Sequence, residues 1–167
     1  MSQKHRRYAL KSKEAKQIVA DASKKLKRDL ESVFGSKVIV EAVEGDFGQV
    51  LLIDAKPIFF KTKDAVLPLL SANEILNLTP KVVVDMGAVC HVCNGADIMA
   101  PGIVRFEGDF IKGDIVIVVD EKHGKPLALG EILYSSVGVK VVKQGVVVKN
   151  LHYVSDKIWN FTKTLTE

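Results

Sequence analysis

The residues of this chain best suited to chemistry crowd into one stretch from Val84 to Asp114, VDMGAVCHVCNGADIMAPGIVRFEGDFIKGD. Its two cysteines, Cys90 and Cys93, are the only ones in the chain and stand three apart in CHVC. A disulfide framework needs more cysteines and a tetrahedral zinc site needs two further ligands, so the pair reads first as two structural thiols. A metal shared across a dimer with His91 or His123, or redox chemistry, stays open beside that reading. Asp85, Asp97, Asp109 and Asp114 form no recognisable acid/base pattern, and the chain lacks a P-loop, a dinucleotide fingerprint and a serine nucleophile elbow. The stretch does offer backbone. Gly95 to Gly102 is poor in bulky side chains, so a ribose-phosphate chain can approach closely, exposed N–H groups can bond its phosphates, and Arg105 and Lys112 add charge nearby.

These residues need elements to hold them, and glycines mark where the elements turn. A helical stripe of Ala88, Val89, Val92, Cys93 and Ala96 is stopped by Asn94 and Gly95, the chain bends at Pro101 and Gly102, and Gly113 with Asp114 opens a strand. A short strand at Lys81 to Asp85 precedes the helix. Strands follow at Ile103 to Phe106, Ile115 to Asp120, Leu127 to Leu133, Val139 to Val142 and Val146 to Tyr153, with reversals at His123–Gly124 and Gln144–Gly145. Many short strands at regular spacing predict a nearly closed barrel with one helix.

Upstream, the first ten residues show no periodicity and are expected to fray. From Ser12, read as an N-cap, apolar residues at Ala15, Ile18, Val19, Ala22, Leu26, Leu30 and Val33 predict one amphipathic helix ending at Gly35. Strands are expected at Val38 to Val43, Val50 to Ile53 and Pro57 to Lys61, and a helix from Asp64 to Leu76 despite Pro68. In the third strand, Phe59 and Phe60 point to opposite faces, one to the core and the other toward the second domain or a partner. Asn77 to Pro80 reads as a boundary. The chain is thus α+β: a small α+β domain over residues 1–80, a mostly β domain with a short helix over 81–155, and a C-terminal extension over 156–167.

At 167 residues and 47% hydrophobic content, the chain can bury a core in one domain or two. No apolar run is long enough to cross a bilayer and the start is not a secretory signal, so a cytoplasmic protein with no membrane partner is expected. Charge is uneven. Residues 1–31 carry ten Lys or Arg against four Asp or Glu, a balance of +6; the chain total is +4, so the rest is −2. Lys4, Arg6 and Arg7 read as a flexible basic arm that adds affinity for a polyanion without sequence choice. His152, Tyr153, Trp159 and Phe161 offer stacking surface near the end of the chain, although packing within their own domain is the favoured reading.

The second domain resembles the PUA domain, a module named for pseudouridine synthase and archaeosine transglycosylase. The likeness rests on Gly87–Ala88, NGAD at Asn94 to Asp97, MAPGI at Met99 to Ile103, Gly113–Asp114 and ALGE at Ala128 to Glu131. With DAKPIFFKTKDAVLPLL before the boundary and NLHYVSDKIWNF after the last strands, the whole chain is similar to the malignant T-cell amplified sequence and ligatin-type initiation factor family, in an archaeal-type form. The resemblance implies a pre-PUA domain followed by a PUA pseudo-barrel. It also implies a non-enzymatic RNA-binding translation factor, with no cofactor and no resident metal, that contacts the tRNA acceptor end and the small ribosomal subunit, with an initiation-factor-like protein as a possible partner. The alternative is a targeting subunit for tRNA or rRNA modification or maturation. Carried over from the family, the RNA-contacting residues are Asn94, Gly95, Ala96, Asp97, Met99, Pro101, Gly102 and Arg105, with Lys112 beside them. Asp97 is the odd member, and a local role accepting backbone hydrogen bonds is expected for it.

Overall fold

Apolar spacing of three and four residues makes the first helix, α1 (Ser12–Leu26), whose Ala15, Ile18, Val19 and Ala22 are buried. The computed structural model describes residues 5–166. Its chain divides into two units, residues 5–73 with 160–166, and residues 74–159.

In the first unit the amphipathic pattern does not give one continuous helix. Lys11, not Ser12, is the N-cap residue of α1, and Lys27 ends it in the left-handed region at φ 55°. A separate turn, α2 (Glu31–Phe34), then reaches Gly35, whose N–H donates to the Glu31 carbonyl at φ 88°. Ser23 Oγ accepts the Leu30 N–H at 3.1 Å and supports this break. Strands β1 (Arg7–Ala9), β2 (Val40–Gly45), β3 (Gly48–Ile53), β4 (Lys56–Lys61) and β5 (Val66–Pro68) form an antiparallel sheet in chain order.

Two expectations fail here. The expected helix at Asp64 to Leu76 is mostly β5, with only α3 (Asn73–Leu76) helical. Pro68 lacks an N–H and opposes an interior helical turn, but it sits without penalty on an edge strand opposite Phe59. Phe59 and Phe60 do alternate, yet both are buried, so neither offers an exposed face to a partner.

The second unit begins with β6 (Lys81–Val84) and α4 (Met86–Val92) and continues through β7 (Ile98–Met99), β8 (Ile103–Glu107), β9 (Ile115–Asp120), β10 (Pro126–Ile132) and β11 (Val146–Tyr153). The sheet order is β7-β11-β10-β9-β6-β8. Its two edge strands, β7 and β8, are separated in the chain only by the 3-10 turn Ala100–Gly102. The sheet must therefore curl until its edges nearly meet, which gives a half-barrel around Val82, Val84, Val116, Val118, Val147 and Val148.

The β9–β10 reversal is fastened by Asp120. This buried carboxylate accepts N–H groups of His123, Lys125 and Lys122, which hold its pKa below the ordinary value against the opposing pull of burial. The expected strand at Val139 to Val142 is instead the 3-10 turn Gly138–Val141, so Gln144–Gly145 does not close a hairpin. Val139 is buried in the core, and the preceding loop is pinned by Ser136, whose N–H and hydroxyl both donate to the Phe110 carbonyl. A last helix, α5 (Lys157–Thr166), follows Asp156, whose Oδ1 accepts the Trp159 N–H at 2.7 Å.

Candidate nucleic-acid interface

Helix α4 starts where β8 starts. Asp85 caps the helix by accepting the Ala88 N–H at 2.9 Å on Oδ1, and its own N–H donates to the Gly102 carbonyl at 2.9 Å. A Cβ on Gly102 would stand 3.2 Å from the Ala88 Cβ, so small residues at both positions let the bend lie against the helix. The other end of α4 is held by Asn150 on β11. Its Nδ2 donates to the Val92 carbonyl at 3.1 Å and the Ala96 carbonyl at 3.0 Å, while its backbone N–H donates to Asp97 Oδ1 at 2.9 Å. Asp97 thus has the local bracing role expected of it.

Between these anchors lies a cavity of about 560 Å³. Gly87, Ala88, His91 and Val92 of α4 form one wall, Ala96, Asp97, Ile98 and Met99 another, and Asp85, Pro101 and Gly102 the remainder. The lining is mainly apolar, and its polar side chains are two carboxylates and one imidazole. No lysine or arginine lines it, so the cavity suits a flat, uncharged ring better than a phosphate.

Of the carried-over residues, Ala96, Asp97, Met99, Pro101 and Gly102 come together at this cavity; Asn94, Gly95, Arg105 and Lys112 do not line it. Arg105 is exposed on β8, with Nε 3.4 Å from Glu107 Oε1, a surface pair of little energetic weight. Lys112 is exposed in the loop before β9. Gly95 serves the fold. It has φ 91°, and a Cβ there would lie 2.9 Å from the Tyr153 ring. Gly95→Ala should cost at least about 1–2 kcal/mol from the left-handed backbone alone, seen as a lower thermal midpoint.

The sequence reading missed Asp85, Gly87, Ala88, His91, Val92 and Ile98 as lining. The signal is the spacing of Gly87, Ala88 and His91, which puts a small-residue face one turn from an imidazole, but Ala88 and Val92 also belong to the apolar helical stripe. Cys90 is exposed and Cys93 half-buried, both as free thiols, and burial pushes the Cys93 thiol up. Among the described residues no three His, Cys, Asp or Glu side chains cluster as a metal site.

The basic arm is corrected in part. Arg7 belongs to β1, paired with Val43, and its guanidinium forks onto Glu41, Nε to Oε2 at 2.8 Å and Nη2 to Oε1 at 2.9 Å. That bond lowers the Glu41 pKa and raises that of Arg7. Arg6 stacks over Tyr8, 4.8 Å from its ring centre. Strand pairing and the two-pronged ion pair fix residues that local sequence leaves unpatterned. Lys4 lies outside the described residues. Three of the four aromatics pack within the protein: His152 is fully buried, Tyr153 lies against Gly95, and Phe161 meets His5 and Phe47 edge-on, while Trp159 is half-buried. Among the described residues no helix is long and apolar enough to cross a membrane.

Comparison with known proteins adds a second line. A PUA domain model matches residues 80–154, and a model described as a domain of unknown function, DUF1947, matches residues 6–72. The chain is 31% identical to Translation machinery-associated protein 20 of Saccharomyces cerevisiae, over 68% of this chain and 67% of that protein. It is 30% identical to the Malignant T-cell-amplified sequence 1 homolog of Dictyostelium discoideum, over 81% and 78% respectively. Among solved structures it resembles a hypothetical protein of Pyrococcus horikoshii OT3, with a TM-score of 0.78, 37% identity, and 94% and 99% of the two chains covered.

Proposed function

Because this chain belongs to the PUA-domain family of translation machinery-associated protein 20 and the malignant T-cell-amplified sequence proteins, we propose that it is a non-enzymatic, RNA-binding translation factor that takes the unpaired acceptor end of a tRNA on the small ribosomal subunit. The observation that carries the reading is the cavity beside α4, sized for a nucleotide and lined without cations. An RNA end fits it by placing a base inside and leaving its phosphates outside in solvent.

The polar groups of the cavity narrow the base. Asp85 and Asp97 each use Oδ1 within the protein, for Ala88 and Asn150 respectively, and the carboxylates can accept a further bond but not donate one. Cytosine and adenine present an exocyclic amine to such acceptors, whereas uracil presents a carbonyl oxygen there. A hairpin RNA with an unpaired 3′ tail ending in A or C should bind roughly 5- to 150-fold more tightly than the same hairpin ending in U, the 1–3 kcal/mol of one good base contact. Fluorescence anisotropy measures this, and equal affinities would remove the carboxylates from base choice.

Such a factor works in the cytoplasm and travels with mature small subunits in a gradient. Cosedimentation with precursor RNA and a modifying enzyme instead would favour the maturation reading, in which the module targets an enzyme.

A further inference from the structure

The charges around α1 are sorted by face. At 3.6 residues per turn, Lys13, Lys16, Gln17, Ala20 and Lys24 fall within roughly 100° of arc, diametrically opposite the buried Ala15, Ile18, Val19 and Ala22. All five are exposed. The acidic residues of the helix, Glu14 and Asp21, stand on one flank together with Lys25, one turn beyond Asp21, where opposite charges offset each other; Gln17 donates to Asp21 at 2.8 Å. Among the described residues Lys13, Lys16 and Lys24 have no ion-pair partner. A run of cations about 16 Å long thus faces outward from the core, and small Ala20 at its centre leaves room for a backbone to lie close.

We propose that this stripe is a second RNA surface, separate from the cavity beside α4, which grips the phosphates of paired RNA without reading sequence. It rests on the proposed function only in taking RNA as the polyanion. A duplex suits it because phosphates follow one another at a few ångströms along the axis, so a straight row of ammonium groups meets several at once. The groove beside the stripe, lined by Lys16, Ser23, Asp29 and Glu31 among others, carries carboxylates on its far side and confines the phosphates to the outward face. The cavity of the second unit is lined by two carboxylates and no cation, so it does not duplicate this role.

The probe is a blunt RNA duplex of mixed sequence, which has no unpaired nucleotide for the cavity. Wild-type protein should bind it with an affinity that falls steeply with salt. Lys13→Gln/Lys16→Gln/Lys24→Gln should lower the slope of log K against log salt by about 2 to 3, and the affinity at least about tenfold. Lys25→Gln, on the flank, should change the slope by well under 1. The stripe variant should keep its preference among tailed hairpins, because the cavity is intact. A slope unchanged in the triple variant, or lowered as much by Lys25→Gln as by Lys24→Gln, would overturn the stripe while leaving the cavity reading standing. So would stripe-dependent binding to phosphatidylserine vesicles without duplex binding. Loss of tail preference in Ala96→Phe, with duplex binding retained, separates the two surfaces from the other side.

Discussion

Ala96→Phe should weaken binding of a tailed hairpin RNA by roughly 5- to 150-fold while leaving the thermal midpoint nearly unchanged. Ala96 is exposed and lies on the cavity wall just past the end of α4, outside the packed core of the half-barrel. A phenyl ring there fills the space a base would occupy. Losing one stacked, enclosed base costs about 1–3 kcal/mol, which sets the range. The same variant should still bind a blunt duplex. A variant that binds the tailed hairpin as tightly as wild type, with its fold intact, would place the RNA end somewhere other than this cavity. Isothermal titration or anisotropy at fixed salt makes the comparison, since phosphate contacts otherwise blur it.

Asp156→Ala should destabilise the second unit by about 3–5 kcal/mol. One side chain accepts three hydrogen bonds: His152 Nδ1 at 2.7 Å, the Tyr153 N–H at 2.9 Å and the Trp159 N–H at 2.7 Å. Removing it takes the cap from α5 and a charged partner from a fully buried imidazole, and each lost bond to a charged group carries about 1.5–3 kcal/mol before relaxation. Burial pushes the Asp156 carboxyl up, but the bond to His152, its charge and the two amides outweigh that, and the pKa falls below the ordinary 3.8. The sign follows. The unfolded chain binds this proton at a higher pH than the folded one, so the stabilisation is complete at neutral pH and is lost as pH drops from about 4 through the folded pKa. Chemical denaturation of wild type and variant should therefore differ most above pH 5 and converge in strong acid. A difference that grows as pH falls would contradict the assignment.

Much of the second unit was legible because its determinants are local. The β-branched runs at Ile115 to Asp120 and Val146 to Tyr153 alternate or bury continuously, whereas the cap that Asp85 supplies to α4 shows only in the structure. Val139 to Val142 looks equally strand-like, but only Val139 is fully buried, Val142 is half-buried and Val141 is 80% exposed, so tertiary bonds to the preceding loop decide its shape. The segment expected as a C-terminal extension is the helix α5, and its signal lies in Asp156 and the spacing of Ile158, Phe161 and Leu165. β1 was unreadable for a different reason: Arg7 is fixed by Glu41, 34 residues away, and no local pattern announces such a pairing. At the site, half the lining was found through the glycine-rich bend. The part on α4 is masked because Ala88 and Val92 belong to the helical stripe and to a cavity wall at once.

The proposed function requires that an unpaired RNA nucleotide enter the space between α4, the 96–99 segment and the Pro101–Gly102 bend. Backbone amide NMR of the isotope-labelled full chain, titrated to saturation with the tailed hairpin, reads this directly. The largest shift changes are expected at Ala88, His91, Ala96, Ile98 and Gly102, and they should vanish when the tail is trimmed to a blunt end. Saturated binding that leaves those five amides in place, with shifts confined to other surfaces, would contradict it.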